Sequence, residues 1–506
     1  MKTTTPPVAS SRRRWAGLAV LSASVLLVVM DMTILNVALP AISEDLRPDS
    51  IELLWMVDAY ALVLSGLLVT VSALGDRWGR KRMLMTGFAV FGLASLAVLA
   101  ADSALEVILV RALLGIGGAM IMPSTLSMIR NLFTDPGERA RALGVWAAMA
   151  AVGAAMGPIV AGLLLERFSW HSAFLVNVPV MVVAIAAGLF LLPESRNPAP
   201  GRWDALGTLL SMAGMVALLY AVKNIGKYGL SSPSALVATA VAVVTLTWFV
   251  RRCLRRPDPL LEVRLFRSAP FSAGVVTALT TSIAMAAVLL LLAQWMQLVQ
   301  GYGPLETGVR LLPAALAAIV ASPLAPALAG RIGARTVLAG GLALTALAFL
   351  LLYAAPSPLG YWPVAIALTL IGIGNGSLAI ASAAIMSGSP PAKAGSAAAI
   401  EETSYEVGGA LGVAVLGSVA AAVYRAGVEY TGPGGEVVRE SLGGALDLAA
   451  ELGAAGGRIA EQARAAFTES LVLTSGIGAL LMLAGTLVVW LLTPRDLDVT
   501  SADQHH

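Results

Sequence analysis

Long apolar runs and short polar breaks alternate along the whole chain. Fourteen apolar segments stand out, at about 15–39, 52–74, 83–101, 106–129, 140–165, 171–192, 205–222, 233–250, 270–297, 305–329, 336–354, 361–386, 395–424 and 469–492. Runs of about 20 apolar residues are what a helix needs to cross the hydrocarbon of a bilayer. Strands of a membrane barrel would alternate apolar and polar positions over about ten residues, a pattern these segments lack. The expectation is an all-α integral membrane protein of 14 transmembrane helices.

Charge placement supports that count. With a cytoplasmic N-terminus, the inside connections carry 23 of the 33 Lys and Arg residues and the outside ones 8, while Arg111 and Arg310 fall within segments. Positive residues concentrate on the cytoplasmic side of membrane proteins, and a missed span would scramble the bias. Both termini are therefore expected in the cytoplasm, in a bacterial inner or plasma membrane. The first 14 residues are basic (Lys2, Arg12, Arg13, Arg14), but the apolar run after them continues to about Leu39. A signal peptide would end sooner, at a small-residue cleavage site, so this is read as an uncleaved first span.

The connections suggest a 6 + 2 + 6 arrangement. Residues 193–203 are Pro-rich, residues 251–267 are the most basic stretch, and the two segments between them are read as free of charge. The expected division is a six-helix half over 1–199, a two-helix insertion over 200–256 and a second six-helix half over 257–506. A weak internal echo agrees: Gly153 and Gly157 in span 5 recur as Gly408 and Gly412 in span 13. The region at about 425–468 is read as a long outside loop holding a glycine-interrupted helix.

Composition narrows the function. The 506 residues are 58% hydrophobic and 12% charged, with a mean hydropathy of +0.83; soluble domains carry about 25% charge. The net charge of +3 follows from loop topology and implies no nucleic-acid partner. The lone Cys253, set among arginines, is placed in a cytoplasmic loop, and it excludes an intramolecular disulfide. Histidine is limited to His171, His505 and His506, which leaves no histidine relay or metal site. No phosphate-binding loop, HExxH, CxxC or GxSxG pattern is present, so neither direct ATP use nor catalysis is expected, and no cofactor.

Five carboxylates fall inside apolar segments: Asp31, Asp58, Glu401, Glu402 and Glu406. Acids at such depth cost several kcal/mol and generally line a polar path. At 1.5 Å rise per residue, Asp31, Asp58 and Arg111 all lie in the outer third, about 8–12 Å deep. Asp31 and Arg111 pair if their helices touch. Burial and a nearby arginine pull a carboxyl's proton affinity in opposite directions, so this pair is the candidate for proton coupling; the plainer alternative is a static ion pair. Trp55 and Asp58 share a helix face, and an aromatic surface beside a carboxylate suits a lipophilic cation, although Trp55 also suits an interfacial anchor. Glu402 and Glu406 share one face of span 13, and Glu401 and Tyr405 an adjacent one. At least one glutamate is expected to face a cavity, with the choice among them open. Trp146, Met149, Met156, Gln294, Trp295 and Gln297 are further lining candidates, each with plain packing as the bland reading.

Several motifs then carry a resemblance. The loop between spans 2 and 3, Ser72-Ala-Leu-Gly75-Asp76-Arg77-Trp78-Gly79-Arg80-Lys81-Arg82, resembles the signature loop of the major facilitator superfamily, with Ser72 where that signature has glycine. Asp76, Arg77, Gly79 and Arg80 would form a charge latch between helix ends. Gly330, Arg331, Gly333 and Arg335 are a degenerate copy between spans 10 and 11. Span 5, with Gly144, Gly153, Gly157, Pro158, Ala161 and Gly162, resembles the antiporter motif of drug-exporting branches, Ala161 standing for a glycine. Span 1 through Asp31, Thr33 and Asn36 to Pro40, span 2 through Leu54, Trp55, Asp58 and Tyr60, and span 4 through Arg111, Gly115 and Gly117 resemble the 14-span drug:proton antiporter family. The likeness runs from about residue 15 to 492 and points to exporters of quaternary ammonium compounds and dyes.

That resemblance implies a major facilitator fold and a monomeric proton-coupled multidrug antiporter working by alternating access. Its substrates would be lipophilic cations, with proton coupling at Asp31 and Arg111. Binding would fall to Trp55, Asp58, Tyr60, Glu401, Glu402, Tyr405 and Glu406. Some relatives that export bivalent cations carry an acid in span 10; here the stretch 311–329 has Ala318 and none, which favours monovalent cargo. A same-fold exporter of a narrower cargo, such as an antibiotic, siderophore or peptide, is the alternative, and a non-transporting membrane sensor a remote one.

Overall fold

The computed structural model describes residues 11–48, 50–196, 203–228, 232–390, 393–430 and 432–497. Lys2, His505, His506 and most of the connector at 193–203 lie outside the described residues. The described residues are helical with no strand, and 14 helices are long and apolar enough to cross a membrane. Hydrocarbon offers the backbone no partner, so each segment must close its own hydrogen bonds as a helix.

The spans are Ser11–Leu35, Trp55–Trp78, Arg80–Ala100, Ala104–Leu132, Pro136–Leu165, Ser172–Leu191, Ala205–Gly226, Pro233–Arg255, Ala269–Val299, Pro304–Ile332, Ala334–Tyr353, Tyr361–Ser387, Ala394–Gly427 and Gly457–Leu492. They are called spans 1 to 14 in that order. Their packing repeats. Span 1 lies on spans 4, 5 and 6, and span 9 lies on spans 12, 13 and 14. Span 2 meets span 4 as span 10 meets span 12, and span 3 meets spans 4 and 6 as span 11 meets spans 12 and 14. The two sets of six touch through span 5 on span 10 and span 13 on span 2, which are reciprocal positions in the repeat. Even the turns correspond: Gly79 between spans 2 and 3 and Gly333 between spans 10 and 11 both have positive φ, +117° and +86°. Glycine adopts that backbone without a side-chain clash.

Small residues make these approaches possible. A Cβ on Gly144 would stand 2.5 Å from the Ser322 carbonyl of span 10, and one on Gly308 2.8 Å from Ile159 of span 5. Spans 7 and 8 pack on each other, and span 7 alone reaches spans 2 and 13, at the seam between the two sets. Asp204 staples this hairpin, bonding Arg252 at 2.8–3.0 Å and Arg256 at 3.2 Å. Burial raises the Asp204 carboxyl's proton affinity, but bonds from Arg252 and the Gly207 N–H, with the two guanidinium charges, outweigh it and hold the group below its ordinary range.

Three expectations need correction. Span 7 is not free of charge: its helix runs to Tyr228 and carries Lys223 inside the apolar stretch. Cys253 is not in a loop but buried in the last turn of the helix Pro233–Arg255, against Val69, Leu210 and Phe249. The final span begins at Gly457 rather than near 469, so the second half of the supposed long loop is helix. Before it, the short helix Leu442–Glu451 packs on the final span, its Leu442 and Ala445 in one buried cluster with Ile459 and Ala463, and the short helix Gly435–Glu440 packs on Leu442–Glu451. In each case the chain keeps winding past the end of the apolar run, because a polar residue at a helix end can bond or reach the interface.

Candidate functional site

Asp31 is fully buried and held from two sides. Arg111 Nη1 of span 4 donates to Oδ2 at 2.7 Å, and Asn177 Nδ2 of span 6 donates to Oδ1 at 2.9 Å. Arg111, 2% exposed, is itself fixed by donation from Nε to the Met56 carbonyl at 3.2 Å and by the Tyr60 ring 4.6 Å beneath its guanidinium. Asn177 also reaches Ser95 Oγ at 3.3 Å. Gly115 and Gly118 let span 4 approach: a Cβ on Gly115 would stand 2.7 Å from the Tyr60 carbonyl, and one on Gly118 2.9 Å from the Tyr60 hydroxyl. Asp31, Arg111 and Tyr60 thus form one knot with Asn177. Asn177 does not stand out in the hydrophobic pattern; its signal is one amide within the apolar run 173–192, at the point where span 6 breaks between Leu175 and Asn177.

Trp55 and Asp58 both meet span 7. The Trp55 ring stacks on Tyr220 with centroids 6.5 Å apart and 19° between planes, and Asp58 accepts a hydrogen-bonded ion pair from Lys223. Tyr220 and Lys223 lie one turn apart, as Trp55 and Asp58 do, so one face of each helix carries both contacts, which cross because the two spans run in opposite directions. Trp55 remains 40% exposed, in keeping with the anchor reading as well. Lys223 was missed because it stands near the end of an apolar run and was counted as loop charge.

The span-13 acids lie across the seam. Glu401 is fully buried, accepting from Tyr405 Oη at 2.8 Å and from Ser382 Oγ of span 12. Glu402 is 1% exposed. Oε2 of Glu401 and Oε1 of Glu402 are buried and have no hydrogen-bond partner. Glu406 is half-buried one turn on and within electrostatic reach of Lys223, and Tyr60 lies within reach of Glu406. The Tyr405 ring stands 6.4 Å from that of Trp146 in span 5, so residues of both sets of six converge here. Trp295 is buried in the packed core of the second set with Met296 and does not line this space.

At the basic end, Arg80 grips Asp76 through Nε at 2.9 Å and Nη2 at 2.7 Å. Asp76 lies against Gly395 of span 13, whose missing side chain leaves room for the carboxylate. Ser72, the departure from the loop signature, donates to the Gly395 carbonyl at 2.6 Å. Arg77 lies over the Trp203 ring at 5.8 Å. Arg130 of span 4 adds a second bridge, donating to Ser389 Oγ at 2.8 Å and its carbonyl at 2.6 Å. In span 5, Gly153 and Gly157 lie against the span-1 backbone at Leu26 and Met30, while Pro158 lies against Gly308. Gly408 and Gly412 do the same on span 9 at Leu279 and Ile283.

Comparison with known proteins bears on this arrangement. The family model described as Major Facilitator Superfamily matches residues 21–413. The chain is 40% identical to the multidrug efflux pump LfrA of Mycolicibacterium smegmatis, over 94% of this chain and 96% of that one. It is 37% identical to the methyl viologen resistance protein SmvA of Salmonella typhimurium, over 93% and 97%. It is 31% identical to the tetracenomycin C resistance and export protein of Streptomyces glaucescens, over 89% and 84%. Among solved structures, the human organic anion transporter MFSD10 (TETRAN) superposes with a TM-score of 0.62 at 13% identity, over 96% of this chain and 100% of that one, a likeness of fold.

Proposed function

Since the chain belongs to the Major Facilitator Superfamily, a family of membrane transporters, we propose that it exports lipophilic cations in exchange for protons. The carrying observation is one of placement: carboxylates of both sets of six helices, Asp31 and Asp58 with Glu401 and Glu402, sit buried between membrane helices with aromatic rings beside them, and Glu406 is half-buried one turn on. Buried acids at membrane depth mark ion and substrate pathways, and rings beside acids suit quaternary ammonium compounds and cationic dyes.

In this reading Asp31 and Arg111 carry the proton, and Trp55, Asp58, Tyr60, Glu401, Glu402, Tyr405 and Glu406 take the cargo. Protons entering from outside neutralise the acids that hold the cation, so the two compete for the same charge, and that competition is the coupling. The halves 1–199 and 257–506 rock about the binding region, with Asp76, Arg77, Gly79 and Arg80 latching the basic end and the 200–256 hairpin as an accessory. The protein works as a monomer in a bacterial plasma membrane with both termini cytoplasmic. The stretch 311–329 of span 10, which carries Ala318 and no acid, favours monovalent cargo.

The test is ethidium efflux from proteoliposomes under an imposed pH gradient, with and without an uncoupler. Uncoupler-sensitive efflux is expected, and efflux indifferent to the gradient would sink the reading. A second reading, export of one antibiotic, draws on the relative named for tetracenomycin C. A substrate panel separates the two.

A further inference from the structure

Lys223 is a cation already present where a cationic cargo would bind. It pairs with Asp58 of span 2 and stands within electrostatic reach of Glu406 of span 13, so one ammonium serves acids from both sets of six. Its helix is built to hold it there. Tyr220, one turn away, stacks on Trp55, itself one turn from Asp58. Beyond Lys223, the Gly226 carbonyl accepts from Ser418 Oγ of span 13 at 3.1 Å, and a Cβ on Gly226 would stand 2.9 Å from Ala414. Span 7 is thus pinned to spans 2 and 13 on either side of the lysine.

Yet the lysine is not walled in. Its side chain is 30% exposed, against 2% for Arg111 in the neighbouring pair. An ammonium on a flexible four-carbon stem makes a point contact, without the fixed fork of a guanidinium. The lysine can therefore swing away without being stranded, and Asp58, whose side chain is 11% exposed, then needs another cation in its place, whereas in the Asp31 pair both partners are sealed.

We propose that Lys223 is a tethered counter-cation: it neutralises Asp58 in the empty protein, and a lipophilic cation binds by displacing it into the space before Glu406 while taking the Trp55–Tyr220 stack as its aromatic wall. The two-helix insertion thereby contributes a side chain to the binding site and sets its selectivity, since only a cation that outcompetes the lysine enters. This rests on the cation-export reading, and the experiment keeps the two apart.

Tetraphenylphosphonium affinity is measured by calorimetry on the purified full-length protein and its variants. Lys223→Gln removes the competitor and tightens binding about fivefold, the upper range for a partly exposed ion pair. Lys223→Arg, whose fork holds Asp58 bidentately, weakens it about twofold. In an Asp58→Asn background the gain from Lys223→Gln disappears, because its object is gone. A purely structural lysine would give the opposite sign for glutamine, and a gain that persists beside Asp58→Asn would mean diffuse repulsion; either overturns the proposal. Weakened binding in Asp58→Asn without tightening in Lys223→Gln overturns the tethered cation and leaves the export reading standing. Full affinity in Asp58→Asn overturns the tethered cation and removes Asp58 from the cargo site, while the export reading stands or falls on gradient-driven efflux. If the glutamine variant does not fold, the arginine variant decides alone: weaker binding supports the proposal, and unchanged or tighter binding overturns it.

Discussion

The two acid layers are built on opposite principles. In the first set of six, Asp31 has both oxygens bonded and its arginine braced by a ring and a backbone carbonyl. In the second, Glu401 and Glu402 each leave one buried oxygen without a hydrogen-bond partner among the described residues, and Glu406 has Lys223 as a counter-charge within reach. A saturated carboxylate has little to offer an arriving molecule, and an under-partnered one does. Spans 1 and 9 occupy equivalent places in the repeat, yet Asp31 has no acid counterpart in the span-9 sequence 269–299. The fold is symmetric and its chemistry is not. That asymmetry fits the proposed division, with proton handling at Asp31 in the first half and cargo taken by acids of both halves.

The harshest way to break the comparison is Asp31→Asn, expected to reduce gradient-driven ethidium efflux to the leak rate. It strands Arg111 in the interior, which costs about 3–5 kcal/mol, so Asp31→Asn with Arg111→Gln is the decisive construction. The double variant should recover its melting temperature but not its transport. Recovered transport would demote the pair to scaffolding.

Next in size are the span-5 glycines. Gly144→Val drives a side chain into the Ser322 carbonyl, and Gly157→Val into Thr33. Overpacking of this kind costs about 1–3 kcal/mol, read as a fall in melting temperature, with transport lost more steeply for Gly144 because it lies between the halves. The glutamates follow. Glu406→Gln should weaken tetraphenylphosphonium binding about tenfold and Glu401→Gln less, since Glu401 already holds Tyr405 and Ser382; silence in all single and double variants would remove the second layer from the site. The smallest effect belongs to Asp204→Asn. The Asp204 carboxyl titrates below its ordinary range, so the stability it contributes is present above the unfolded value and fades as pH falls through the lowered one. The variant should lose about 1 kcal/mol near neutrality and nothing at strongly acid pH, checked by melting at both.

The sequence was most legible where hydrophobicity alone decides. Bilayer thickness fixes segment length, so all 14 spans were readable, as was the Asp31–Arg111 encounter from depth arithmetic on spans 1 and 4. It was least legible at helix ends. Lys223, Cys253 and residues 457–468 were all assigned to loops, because polar residues mark the end of an apolar run but not the end of a helix. Pairings between distant spans were likewise hidden: nothing along the chain links Lys223 to Asp58, or Arg130 to Ser389. Asn177 was visible as a lone amide in an apolar run, yet its partner became evident only when spans 1 and 6 came together.

Backbone meeting backbone along span 5 has a further consequence. Where Gly144 faces Ser322 and Gly308 faces Ile159, no room is left even for a methyl group. Ions would have to pry apart two peptide chains to slip through. A joint so close can serve as the pivot about which two sets of helices tilt, which is what opening first to one compartment and then to the other asks of it.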